Sequence, residues 1–197
     1  MEMLFMIAIL IMSVVLHEVS HGYAAYYMGD PTAKYAGRLT LNPIHHLDLF
    51  GSFLLPLLTY LTAGFVIGYA KPVPYNPYNL KNQKWGPAIV GVAGPAANLF
   101  LVLFFGLLIR LGVVLPIFPY IVLINLVLMV FNLLPIPPLD GSKVLFAVLP
   151  YEWKEAQDVL ERYGFFILLF FIFFIGGRLI WPVVSWLFLL ITGAQLM

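Results

Sequence analysis

The residues Met3 to Leu16 form an apolar run able to enter a bilayer, and the run leads directly into Leu16-His17-Glu18-Val19-Ser20-His21-Gly22. On a helix, positions 17 and 21 lie one turn apart on the same face. Both imidazoles can therefore reach one metal ion while Glu18 addresses a water bound to it. A single histidine in an apolar helix is usually a satisfied core residue. Three ionisable groups at metal-site spacing inside a membrane span are another matter, because each is costly to hold there and such residues mark function. The chain is thereby limited to folds that enclose a polar cluster within a bundle of membrane helices.

Composition agrees with that limit. Hydrophobic residues make up 62% of the chain and charged residues 10%, with a mean hydropathy of +0.98, which implies a polytopic membrane protein in contact with lipid. The net charge is +1 and no basic run occurs, so nucleic acid is not an expected partner. The first apolar run lacks the basic start and small-residue cleavage site of a signal peptide, and it carries the motif, so it reads as a retained span. Cysteine is absent. Disulfides and thiolate ligands are thus excluded, and any metal must be held by imidazole and carboxylate, which suits one catalytic zinc ion better than a structural one.

The first span is expected to stop at Gly29-Asp30-Pro31. Thr32 to Leu41 then alternates in part and reads as a short strand-like stretch associated with the membrane, which could hold an extended substrate by edge addition through Thr32, Leu39 and Leu41. The pair His45-His46 reads as part of a polar turn, because adjacent residues point in different directions. Leu49 to Tyr69 is apolar but broken by Gly51, Pro56, Gly64 and Gly68, and is expected either to span or to re-enter. A span over about Gly86 to Ile109 opens on small residues and carries Asn98, a candidate interhelical hydrogen-bonding group. Another, over about Tyr120 to Leu134, contains Asn125 and Asn132 and ends in Pro135-Ile136-Pro137-Pro138-Leu139-Asp140-Gly141. Prolines there free the backbone and the Asp140 carboxylate at membrane depth, which is tolerated only around protein or a water-filled cavity.

The expected class is an all-α polytopic membrane protein of about five to six transmembrane helices. Residues 1–143 form its membrane-embedded core, 144–163 a charged interfacial or cytosolic helix, and 164–197 a C-terminal hydrophobic hairpin around Gly176-Gly177-Arg178. The helix supplies two ligands, and a catalytic zinc normally takes three. Candidates for the third are Asp30, Asp48, Asp140, His45 and His46, with Asp140 favoured as an acid held by irregular backbone beside a span. If 49–69 re-enters, lysines and arginines divide eight against two, with Arg110 and Arg178 in the minority. The positive-inside rule then places the motif near the cytosolic face.

The chain resembles the site-2 protease family of intramembrane zinc metalloproteases. The resemblance rests on His17-Glu18-Val19-Ser20-His21 in a span, Gly94-Pro95-Ala96-Ala97-Asn98 in a middle span, and Asn132 through Gly141 after a later one. Gly29 to Lys34, Gly37 to Pro43 and Ala70 to Pro74 look like its compact prokaryotic branch, without PDZ or CBS domain. The resemblance implies that His17, His21 and Asp140 bind zinc, that Glu18 is the general base, and that Asn132 faces the site and stabilises the oxyanion, with Asn98 in support. It also implies a multi-pass protein of a prokaryotic plasma membrane whose partners are transmembrane protein substrates. The rival reading is an intramembrane zinc-binding or zinc-transport protein, for which Glu18 need not act as a base.

Overall fold

The computed structural model describes residues 2–48, 51, 54, 58, 61, 71–113 and 115–196. The segment 49–69, expected to span or re-enter, lies outside the described residues apart from those four positions. Helix α1, Glu2–Tyr27, is about 39 Å long at 1.5 Å per residue. It ends where expected, with Gly29 in the left-handed region at φ 104°.

The strand expected over 32–41 does not form, and no strand occurs among the described residues. Thr32–Tyr35 is instead a single helical turn, α2. Asp30 decides this. Its Oδ1 accepts from the Thr32 amide at 3.2 Å and the Thr32 hydroxyl at 2.5 Å, a local bond that turns the backbone before any strand can start. Gly37, at φ 65°, closes the turn. Pro43–His46 is a 3-10 turn with the Asn42 side chain accepting from the Ile44 amide at its start.

Helix α3, Gly86–Arg110, is the hub of the bundle. It packs against α1, against α4 (Phe118–Asn132), against α5 (Asp140–Val148) and against α7 (Gly177–Thr192). Gly91, Gly94, Asn98, Val102 and Gly106 form one buried stripe along it, spaced by three or four residues as one helix face requires. The apolar core joins Val102 of α3 to Val122, Leu126 and Met129 of α4 and to Val184 and Phe188 of α7. The small residues seen in the sequence thus do what such residues do between membrane helices, allowing close backbone approach.

The C-terminal hairpin is corrected to one helix. Lys154–Phe171 (α6) continues through a π turn at Ile172–Gly176 into α7, so that Tyr151–Thr192 is unbroken for 42 residues. Gly176-Gly177 suggested a turn, but a turn in an apolar setting would leave backbone groups unpaired at several kcal/mol each, whereas a π turn keeps them bonded. The continuous helix is about 63 Å long, twice the roughly 30 Å of a bilayer's hydrocarbon core. Its beginning, Glu152 to Arg162, is mostly exposed and carries six charged side chains, a density that is costly to hold in a bilayer's hydrocarbon core. Among the described residues three helices are long and apolar enough to cross a membrane, with the shorter Phe118–Asn132 beside them. The molecule is an all-α polytopic membrane protein.

Candidate active site

His17 and His21 are both buried on the face of α1 that meets α3. The Nδ1 of His17 donates to Asn98 Oδ1 at 2.6 Å, and the Nδ1 of His21 donates to the Val90 carbonyl at 2.6 Å. Both acceptors lack a hydrogen to give, so each ring carries its proton on Nδ1 and turns a lone pair on Nε2 towards the interior. The two Nε2 atoms are 3.0 Å apart. Asp140 Oδ2 lies 3.1 Å from each of them, brought in by α5, which packs on α3. Asp140 is the one third-ligand candidate that the fold brings into contact with both rings. Its Oδ1 is held by Lys143 Nζ at 2.9 Å.

These three atoms are electron-rich and, with both protons on Nδ1, have no hydrogen among them to share. A cation removes that repulsion. A tetrahedral zinc with bonds of about 2.0–2.1 Å spaces its ligands about 3.3 Å apart, close to the separations seen. Two imidazoles and one carboxylate also leave a fourth position open, the donor set of a catalytic zinc. The space is kept by a glycine: a Cβ on Gly94 would stand 2.6 Å from His17 Nε2, and closer still to His21 Nε2. The residues present fit the ion.

Glu18 is half-buried beside the pair, and His17, Glu18 and His21 offer ligand atoms within 4.8 Å of one another. Its Oε2 accepts from the Val73 amide at 2.8 Å. That amide belongs to a strap, Lys71 to Pro74, laid over α1. Arg38, itself buried, donates to the carbonyls of Lys71 and Pro72 at 2.6 and 3.4 Å, and the Lys71 amide donates to His46 at 2.9 Å. Gly22 makes room for it, since a Cβ there would meet Leu39 at 2.6 Å and Val73 at 2.9 Å.

Asn98 does more than bridge helices. Its Nδ2 donates to Asn125 Oδ1 at 2.8 Å, and Asn125 in turn donates to Ser13 Oγ at 2.9 Å, so a buried polar chain runs from α1 through α4 and α3 back to the His17 ring. Such outer hydrogen bonds fix the orientation of a metal-binding imidazole. Asn132 is placed otherwise: one amide hydrogen goes to the Leu128 carbonyl one turn back at 2.9 Å. Of the three substrate-contact candidates, Thr32 gives its hydroxyl to Asp30, Leu39 lies against Gly22, and Leu41 is exposed. Without a strand, the edge-addition argument for them falls away.

The other third-ligand candidates serve elsewhere. Asp30 is fully buried and accepts from Thr32, from the Asn79 amide side chain at 2.8 Å and from the Asn76 backbone at 2.6 Å. Burial pushes its carboxyl up, but those hydrogen bonds outweigh it and hold the group below the usual carboxylate range. Asp48 accepts from the Gly51 amide. His46 is buried, with Nε2 donating to the Thr40 carbonyl at 2.8 Å, and His45 is exposed in the same 3-10 turn.

The model of Peptidase family M50 matches residues 5–114 and 107–173. "Putative zinc metalloprotease YwhC" of Bacillus subtilis is 38% identical over 195 residues, covering 92% of this chain and 86% of that protein. "Putative zinc metalloprotease Rip2" of Mycolicibacterium smegmatis is 34% identical over 80% of this chain and 62% of its own length, and that of Mycobacterium tuberculosis strain H37Rv is 28% identical over 90% and 70%. No solved structure matches. With matched stretches that run through the His17-to-His21 motif and on past Asp140, the chain belongs to Peptidase family M50, the site-2 protease family of zinc metalloproteases.

Proposed function

We propose that this chain is an intramembrane zinc metalloprotease that hydrolyses peptide bonds within or next to the transmembrane segments of membrane proteins, with one zinc ion held by His17, His21 and Asp140. The observation that carries the reading is the meeting of His17 Nε2, His21 Nε2 and Asp140 Oδ2 within 3.1 Å of one another, beside the Glu18 carboxylate. Zinc bound there would supply Lewis acidity, polarising a carbonyl and making water acidic near neutral pH. Glu18 takes the proton from the attacking water and delivers it to the leaving amine. The Val73 amide keeps one of its oxygens oriented meanwhile. Asn98 holds the His17 ring in the tautomer the site requires. Asn132, proposed on the family resemblance alone, has its second amide hydrogen to give to the developing oxyanion.

Lysines and arginines support an outside N-terminus and a site near the cytosolic face of a prokaryotic plasma membrane, by the positive-inside rule. The test is cleavage of a tagged single-span substrate by the purified protein in detergent with zinc, wild type against Glu18→Gln, with bound zinc measured in both. Loss of cleavage with zinc retained is expected. Cleavage that survives the substitution would falsify the role of Glu18, and zinc flux in liposomes without any cleavage would favour the transport reading.

A further inference from the structure

Asp140 and Lys143 stand three residues apart in the first turn of α5, a spacing at which two side chains on a helix meet. The helix lies on α3 at Gly91, where a Cβ would stand 3.0 Å from the Asp140 carbonyl and 3.0 and 3.1 Å from carbons of the Lys143 stem. Gly91 thereby gives the stem a fixed floor. At its far end the ammonium lies 5.5 Å from the centre of the Tyr75 ring, within the range at which a ring face attracts a cation. Lys143 is thus placed by contacts of its own, besides the carboxylate it meets.

That carboxylate is divided between two neighbours. Oδ2 of Asp140 lies 3.1 Å from Nε2 of His17 and 3.1 Å from Nε2 of His21, while Oδ1 lies 2.9 Å from Lys143 Nζ. One oxygen faces the position a metal would take, and the other faces an ammonium. The division has a chemical consequence, because a carboxylate can hold a cation through one oxygen or through both. Together with two imidazoles, a two-oxygen Asp140 would make four donors and fill a tetrahedral zinc. A one-oxygen Asp140 leaves the fourth place open, as a catalytic zinc requires. An ammonium suits the task of enforcing this, since it has three hydrogens to give and no lone pair with which to bind the ion itself. Its bond to Oδ1 is charge-assisted, and with the Asp140 side chain 9% exposed and that of Lys143 27% exposed, water competes weakly for the same oxygen.

We propose that Lys143 is a positioning residue that restricts Asp140 to one-oxygen ligation, and so keeps the fourth metal position free for the water on which Glu18 acts. The proposal rests on the protease reading above and adds a residue outside the His17-to-His21 motif to its machinery. Lys143 acts through Asp140 and not on the reacting atoms.

The test reads the metal site directly. Wild type, Lys143→Met and Lys143→Arg are purified in detergent, stripped of metal and reloaded with Co2+, whose visible absorption reports its coordination. Thiocyanate is then titrated as a probe of the open position. Met keeps the apolar stem and removes the charge, whereas Arg keeps a cationic donor. Wild type and Lys143→Arg should show a thiocyanate-dependent change in the cobalt bands, and Lys143→Met, equally loaded with Co2+, should show none. With zinc and a single-span substrate, kcat of Lys143→Met should fall about 10- to 100-fold at unchanged KM, the pattern of a lost contribution to the chemical step and not to binding. A thiocyanate response in Lys143→Met equal to that of wild type overturns the proposal, whatever the cleavage rates. So does loss of the metal from Lys143→Met, which would make the lysine a support for the whole cluster, and so does a Lys143→Arg protein that behaves like Lys143→Met. A thiocyanate response that depends on Lys143, with no cleavage of any substrate by wild type, would instead keep the role of Lys143 at the metal and overturn the protease reading.

Discussion

His17 is the best-supported side chain of the site, because Asn98 fixes its ring at Nδ1 and so turns Nε2 towards His21 and Asp140. Removing the outer partner should loosen the ring without emptying the cluster. Asn98→Ala is expected to weaken zinc binding roughly 10- to 100-fold, read by competition with a chromogenic chelator, while circular dichroism stays helical. Gly94→Ala should act more severely, since its Cβ would occupy the space the Nε2 atoms share. We expect zinc stoichiometry near zero in that variant, and full loading would show that the rings can retreat. The sequence made His17, Glu18 and His21 legible because one helical period determines their geometry. Asp140, 123 residues from His17, could only be favoured among several acids, since no local pattern says which loop returns to which helix. The Val73 amide and the Lys143 bond to Asp140 were not legible at all: one is backbone and the other is set by how closely α5 lies on α3 at Gly91, where a Cβ would meet the Asp140 carbonyl and the Lys143 stem at about 3.0 Å.

At the scale of elements, Asp30 ties three segments together: the end of α1, the start of α2 and the 76–79 turn. Asp30→Ala would take the acceptor from the Thr32, Asn76 and Asn79 groups that bond to it, at a cost of about 1–3 kcal/mol, visible as a lower melting temperature in detergent. The dependence on pH has a definite sign. The folded carboxyl titrates below the unfolded one, so the folded state binds fewer protons. The stabilisation is complete above the unfolded value of about 3.9 and is lost as pH falls through the lower folded value. The gap in melting temperature between wild type and Asp30→Asn should therefore narrow as pH falls below about 4; a constant gap would mean that the charge is not what Asp30 contributes. The same residue explains why alternation at 32–41 misled. Period-two patterning says that a strand is possible, but a buried aspartate two residues before Thr32 offers the backbone a turn first, and a strand needs a partner that none of the described segments provides. The C-terminal glycines misled for a related reason, because they permit a turn without requiring one.

For the whole molecule, the continuous helix from Tyr151 to Thr192 changes the transmembrane count, and with it the side on which the chain's last residues emerge. A hairpin at Gly176-Gly177 would return residue 195 to the side of Glu155, whereas a single crossing separates them. Arg110 argues for the crossing: its Nη1 donates to the Leu190 carbonyl at 2.9 Å, so α3 and α7 end on the same face, opposite the lysines that line the 75–87 and 143–154 segments. The absence of cysteine makes the point directly measurable with single-cysteine variants at exposed positions. In intact cells a membrane-impermeant maleimide should label Leu115→Cys and Gln195→Cys, and should label Lys81→Cys and Glu155→Cys only after permeabilisation. Gln195→Cys behaving like Glu155→Cys would restore the hairpin and remove α7 from the core that holds α3 and α4 in register. Lys81→Cys labelled from outside would invert the orientation and put the His17, His21 and Asp140 cluster near the other face of the membrane.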